Sequence, residues 1–156
     1  VMLYEGRGGG GSQGRIGIAM ADELLGPWEQ SDHYVFGGSG TWDYNAVPDD
    51  VVYQGGRYVL TYHGKPARSR VAERLGRRQI WQSGLAVSRD LRHWQRLGSG
   101  PISSSSTLMI MRRGPDLLLL GEPEPRWAIQ SYAGVRMYRP VRVERIITRT
   151  ERLGSR

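Results

Sequence analysis

The chain has 156 residues, 38% of them hydrophobic, and a mean hydropathy of −0.49. These values fit a globular domain with one modest core and exclude an apolar run long enough to cross a bilayer as a helix. Zero cysteines exclude disulfides and thiolate metal sites, and the net charge of +7 comes almost wholly from arginine, Lys65 being the lone lysine. No signal peptide is visible, but the chain opens inside an apparent strand without an initiator methionine, so localisation stays open.

In chain order, residues 1–40 read as an incomplete unit of strands. Val1-Met2-Leu3-Tyr4-Glu5-Gly6 is one strand, Gly17-Ile18-Ala19-Met20 a second and Trp28-Glu29-Gln30 a third. The glycine run Gly8-Gly9-Gly10-Gly11-Ser12 lacks a following helix and a lysine at phosphate-loop spacing, and so reads as a hairpin loop.

Residues 41–102 form the complete unit. Val51-Val52-Tyr53 and Arg57-Tyr58-Val59-Leu60-Thr61-Tyr62 are rich in β-branched and aromatic residues and are separated by Gln54-Gly55-Gly56. Glycine supplies the positive φ that a tight turn between twisted strands requires, so this is a hairpin. Gly84-Leu85-Ala86-Val87-Ser88 and Trp94-Gln95-Arg96-Leu97 complete a four-stranded antiparallel meander.

The first unit repeats its last three strands: Tyr4-Glu5-Gly6 matches Tyr62-His63-Gly64, Gly17-Ile18-Ala19 matches Gly84-Leu85-Ala86, and Trp28 matches Trp94. A period of roughly 50 to 65 residues carrying four strands is the signature of a β-propeller blade.

Residues 103–148 read as a divergent third unit and 149–156 as a tail. Ser103 to Ser106 is expected to be a linker, followed by a hairpin from Thr107-Leu108-Met109-Ile110-Met111 to Leu117-Leu118-Leu119-Leu120. Trp127 to Tyr132, Val135 to Tyr138 and Val141 to Thr148 are further expected strands.

The arginines concentrate at Arg68, Arg70, Arg74, Arg77 and Arg78 and again through the tail. Clusters of this kind can grip phosphates. No nucleic-acid motif accompanies them, and a solvated arginine-rich surface is the preferred reading. The histidines at 33, 63 and 93 are scattered, so neither a metal site nor a cofactor is expected.

Asp49 before an apolar strand, the Gly-Gly hairpin, a strand ending Tyr-Glu-Gly or Tyr-His-Gly, and Gly84-Leu85-Ala86-Val87-Ser88-Arg89-Asp90-Leu91-Arg92-His93-Trp94 together resemble the five-bladed propeller glycosidases. These are families 43, 32, 68, 117 and 130 of the glycoside hydrolases, which act on arabinosides, xylosides, fructosides and β-mannosides. Gly26-Pro27-Trp28 is similar to the family 43 pattern at the equivalent turn. The resemblance covers residues 1–102 well and the remainder loosely. It implies an all-β chain containing about two and a half blades of a five-bladed ring, a carbohydrate ligand and hydrolysis by paired carboxylates.

Strand alternation assigns Trp42, Asp43, Asp49, Asp50 and His63 to one rim, with Glu5 and Arg7 from the first unit and Glu122 and Glu124 from the third. Asp90, His93, Trp94, Pro27 and Trp28 fall on the opposite rim, where Asp90 is expected to cap a turn and the tryptophans to pack.

Asp49 matches the aspartate of the Asp-Pro pattern that opens inner strands in these families, which implies either the catalytic base or a residue tuning the acid. Its other reading is a strand-start aspartate accepting backbone N–H bonds. Asp50 stands where the pattern has proline, and Thr107 takes the equivalent place in the third unit, which leaves Glu122 as the remaining candidate acid. Trp42 is expected to stack on a sugar, with Asp43, His63, Glu5 and Arg7 supplying polar contacts.

A five-bladed ring needs roughly 300 residues. The chain is therefore expected to be a piece that requires missing blades or a second copy to close, and to be inactive alone. A non-catalytic carbohydrate-binding propeller is the alternative.

Overall fold

In a computed structural model of the chain, the described residues are 1–7, 13–39, 41–67, 74, 80–113, 116–123, 136–137 and 141–142. They contain twelve strands: β1 (Met2–Arg7), β2 (Gly14–Met20), β3 (Glu29–Gln30), β4 (Phe36–Gly37), β5 (Asn45–Gln54), β6 (Arg57–Lys65), β7 (Gln82–Ser88), β8 (Trp94–Arg96), β9 (Ser105–Arg113), β10 (Asp116–Pro123), β11 (Arg136–Met137) and β12 (Val141–Arg142). The chain is all-β, with three four-stranded sheets in which every ladder is antiparallel. Among the described residues the sheets do not close into a ring.

The middle sheet is the expected meander, ordered β5-β6-β7-β8. Its first hairpin turns through Gly55 (φ 58°) and Gly56 (φ 76°). Two successive positive φ values define the type I′ turn, whose twist matches that of the flanking strands.

β6 and β7 are buried on both faces, which explains why Tyr58 to Tyr62 and Gly84 to Ser88 read as nearly continuous apolar runs. Alternate side chains serve different neighbours. Val59, Leu85, Val87 and Leu97 pack with Ile110, Leu117 and Leu119 of the third sheet. Leu60, Tyr62 and Ala86 pack with Ile16 and Phe36 of the first sheet, joined by Ala46. The middle sheet is thus the filling of a three-layer stack, and each fully buried aliphatic side chain contributes about 1.5–3 kcal/mol.

The internal repeat holds at the level of register. Tyr4 pairs with Gly17 across β1–β2, and Tyr62 pairs with Gly84 across β6–β7. In both sheets the tyrosine ring lies over the glycine: a Cβ at Gly17 would stand 2.4 Å from Tyr4 Cζ, and one at Gly84 would stand 3.0 Å from Tyr62 Cζ. A Cβ would crowd the ring in both sheets, cheaply relieved at Gly17, where the end of the Tyr4 side chain can move, and less so at Gly84, where Trp42 also presses. The Tyr/Gly pair is therefore a packing lock repeated from sheet to sheet.

Several elements differ from expectation. The last strand of the first sheet is broken into β3 and β4, both paired with β2, because the intervening residues bond to it only through Ser31 N–H to the Ile18 carbonyl and Val35 N–H to the Ile16 carbonyl. The serine linker is partly ordered into the sheets: Ser83 N–H donates to the Ser103 carbonyl at 2.9 Å, and β9 already begins at Ser105. β11 lies inside the expected Val135 to Tyr138 strand but pairs directly with β10, the place a third strand would take, because the sequence period does not set pairing order. The expected strand at Trp127 to Tyr132 and the glycine loop Gly8 to Ser12 lie outside the described residues.

Candidate functional site

The two adjacent aspartates are placed by a β-bulge. Pro48 pairs with Tyr62 and Asp50 with Thr61, so Asp49 is the extra residue of β5. A bulge breaks strict alternation, and here it lets consecutive side chains reach the same neighbour. Asp49 Oδ2 accepts the Leu108 N–H at 3.2 Å, and Asp50 Oδ2 accepts the Ile110 N–H at 2.8 Å. Both donors belong to β9, so the pair clasps the third sheet to the middle one.

The other carboxylate oxygens are occupied as well. Asp50 Oδ1 accepts the Val51 N–H at 2.8 Å, and Asp49 Oδ1 bonds His63 Nδ1 at 2.5 Å. Asp49 retains only 3% side-chain exposure and His63 19%. Because a carboxylate accepts, Nδ1 must carry the hydrogen, which leaves Nε2 as the ring's outward nitrogen. Asp49 therefore does to His63 what an orienting carboxylate does to any imidazole: it fixes tautomer and direction.

Trp81 closes this corner. Its ring meets His63 edge-on, with centroids 4.9 Å apart and planes at 75°, while Lys65 Nζ stands 4.4 Å above its face. Trp81 and Lys65 escaped the sequence reading because they flank the arginine-rich connection between β6 and β7, outside any repeated motif. The signal available was positional: Lys65 directly follows Tyr62-His63-Gly64 at the end of β6, and Trp81 directly precedes β7.

Asp43 and Trp42 lie on the other side of the middle sheet. Trp42 stacks on Tyr62, with centroids 5.6 Å apart, and presses against Gly84. Asp43 is fully buried. It accepts from Arg96 Nε at 2.7 Å, Tyr62 Oη at 3.0 Å, the Ser39 N–H at 3.0 Å and, closely, the Ser39 hydroxyl. Arg96 also donates to the Gly37 carbonyl and lies 4.5 Å over the Phe36 ring.

Desolvation pushes the Asp43 carboxyl upward, but hydrogen bonds from Ser39 and Arg96 outweigh it and hold the group below its usual range. Burial, and then the Asp43 charge, raise the Tyr62 phenol well above its ordinary value. This network ties the first sheet to the middle one, and its carboxylate is fully buried.

Glu5 and Arg7 form an ion pair at 2.8 Å, with 30% and 56% side-chain exposure. Glu5 lies against Gly14, whose N–H donates to Asn45 Oδ1 at 2.9 Å, so this pair also belongs to the junction of the first and middle sheets. The expected rim residues are therefore split by the middle sheet: Trp42, Asp43, Glu5 and Arg7 on one side, Asp49, Asp50 and His63 on the other. Glu122 occupies the penultimate position of β10, and Glu124 lies outside the described residues.

On the opposite rim, Asp90 accepts the Arg92 and His93 N–H groups at 2.9 and 2.8 Å and pairs with His93 Nδ1. The bond from His93, followed by the backbone donors, holds the Asp90 carboxyl far below the usual carboxylate range. Trp94 donates Nε1–H to the Leu91 carbonyl at 2.8 Å and packs on the core. Asp90 is thus a turn cap and Trp94 a packing residue.

Among the described residues no group of three or more His, Asp or Glu side chains is placed to hold a metal ion, and no helix is long and apolar enough to cross a membrane. No protein-family model matches the chain, and no curated protein sequence matches it.

Proposed function

We propose that the chain is part of a five-bladed propeller glycoside hydrolase, in which the described sheets are successive blades and contribute the wall of a sugar-binding funnel. The observation that carries this reading is the Tyr/Gly lock recurring in register in two stacked antiparallel sheets, within motifs similar to those of the propeller glycosidases. The His63, Trp81 and Lys65 corner supplies what a sugar site uses: an aromatic face and polar groups fixed in direction.

One observation favours the second reading, a carbohydrate-binding propeller module without hydrolysis. All four oxygens of Asp49 and Asp50 are engaged by protein groups, three by backbone N–H and one by His63, and the two bonds from Leu108 and Ile110 hold sheets together. Hydrolysis needs one carboxyl able to protonate the leaving oxygen and another able to activate water or attack carbon. Both aspartates are already committed to bonds within the protein, so in this reading the catalytic pair would come from elsewhere in a complete ring.

The test is to assay the 156-residue chain for binding and turnover of arabinosides, xylosides, fructosides and β-mannosides. Binding without turnover, lost in Trp81→Ala, agrees with the funnel-wall role. Turnover abolished in Asp49→Asn would give Asp49 a catalytic role and overturn the structural assignment. Absence of binding to every glycan class would remove the carbohydrate reading itself.

A further inference from the structure

We infer that the corner formed by Lys65, Trp81 and His63 takes an acidic sugar, a hexuronate whose carboxylate meets the lysine ammonium while its apolar face covers Trp81 and one of its hydroxyls donates to His63 Nε2. This rests on the carbohydrate reading above and narrows its ligand class.

Three features of the corner point to a negative charge. First, Lys65 is the chain's lone lysine, and among the described residues no carboxylate pairs with it; its ammonium rests on the Trp81 ring at 4.4 Å. A cation over an aromatic face at a partly exposed site is held by about 0.5–1 kcal/mol, little enough for a carboxylate to draw it aside. Its flexible stem allows the ammonium to swing off the ring and expose the face to a sugar.

Second, among the described residues the carboxylate beside the corner is already engaged. Asp49 is 3% exposed, bonded through one oxygen to His63 Nδ1 and through the other to the Leu108 N–H. It therefore directs His63 rather than neutralising Lys65. With Nδ1 committed as a donor, Nε2 is the ring nitrogen left to accept from a sugar hydroxyl.

Third, the neighbouring sequence is strongly basic. The connection from Lys65 to Trp81 contains Arg68, Arg70, Arg74, Arg77 and Arg78 against the single acid Glu73. An uncharged sugar would gain the Trp81 face but would have to strip Lys65 from it without a compensating charge. A hexuronate gains both, which is a difference in affinity and hence a specificity.

The experiment is calorimetric titration of the chain at low ionic strength with oligogalacturonate, with an uncharged galacto-oligosaccharide of the same length, and with inorganic phosphate. The acidic oligosaccharide is expected to bind about tenfold more tightly than the uncharged one, the worth of one charge-assisted hydrogen bond. The preference should fade as salt shortens the screening length. Lys65→Met, which keeps the stem and loses the charge, should bring the acidic ligand down to the affinity of the uncharged one; a thermal melt matching wild type shows that the fold is intact.

Equal affinity for acidic and uncharged sugars would overturn the inference while leaving the carbohydrate reading in place. Inorganic phosphate binding as tightly as the oligogalacturonate and displacing it fully would show an oxyanion site that ignores the sugar, and would also overturn it. If neither sugar binds, the carbohydrate reading fails and the inference falls with it.

Discussion

Replacing Asp43 by alanine should be the most damaging single change in the described part of the chain. The side chain is fully buried, and it is the shared acceptor for Arg96 at 2.7 Å, Tyr62 at 3.0 Å and the Ser39 N–H at 3.0 Å. Removing it leaves a guanidinium with 29% side-chain exposure unpaired and a buried phenol without its acceptor. Breaking a buried pair from one side costs about 3–5 kcal/mol, because the remaining charge keeps its desolvation penalty. That is a large part of the roughly 5–15 kcal/mol available to a domain. Asp43→Asn keeps an amide oxygen to accept from Tyr62 but loses the charge, and should cost about half as much. Urea unfolding followed by tryptophan fluorescence reads both, and a Tyr62→Phe double-mutant cycle isolates the phenol's share. A loss for Asp43→Ala of less than about 1 kcal/mol, the value of an exposed ion pair, would refute the network as a stabilising element.

Three further outcomes follow from the same geometry. Because the folded-state Asp43 carboxyl lies below the ordinary carboxylate range, the stability it contributes is complete above that range and is lost as pH falls through the lower folded value. Stability should therefore drop on acidification below about pH 4, and the drop should be shallower in Asp43→Asn once the contribution of the likewise depressed Asp90 is removed with an Asp90→Ala background. Gly84→Ala should cost about 1–3 kcal/mol, since its Cβ would stand 2.7 Å from the Trp42 ring and 3.0 Å from Tyr62, whereas Gly17→Ala meets only the half-exposed Tyr4, which can swing aside; comparative melts showing Gly17→Ala to be the worse change would contradict the lock as described. Asp50→Ala should speed hydrogen exchange at the Ile110 amide about tenfold, and Asp49→Ala at Leu108, and unchanged exchange at both would show that the clasp carries no weight.

What the sequence made legible was whatever repeated with a strand's periodicity. The β5-β6 hairpin followed from Gly55-Gly56, and the Tyr/Gly correspondence between the first two units survived as matching register, because a ring lying on a glycine constrains both residues at once. The rim was legible only as an end of the sheets. Sequence alternation says which end a residue occupies, and much less about which face it serves once a bulge intervenes. Asp49 and Asp50 illustrate the limit: the departure from Asp-Pro looked like ambiguity over which aspartate faces inward, and the bulge turns both towards β9. Asp43 looked like a ligand-binding acid because its partners, Ser39, Tyr62 and Arg96, come from three separate stretches of chain. Trp81 and Lys65 had no repeat to mark them.

In the proposed reading, the bulge at Asp49 is where packing and recognition meet. A regular β5 would send Asp49 and Asp50 to opposite faces, leaving one β9 amide without its acceptor and His63 without its orienting partner. With the extra residue, Asp50 holds Ile110 while Asp49 divides its two oxygens between Leu108 and His63. One side chain, Asp49, then links the third sheet to the direction of the imidazole. A shift of β9 would be felt at His63 Nε2, and a ligand that polarises His63 would strengthen the Asp49 end of the clasp, because a charge-assisted bond on one oxygen anchors the carboxylate that the Leu108 amide also uses. Sheet packing and ligand binding at this corner are therefore expected to be coupled with the same sign: glycan binding should slow exchange at Leu108 more than at Ile110, whose acceptor has no link to the histidine.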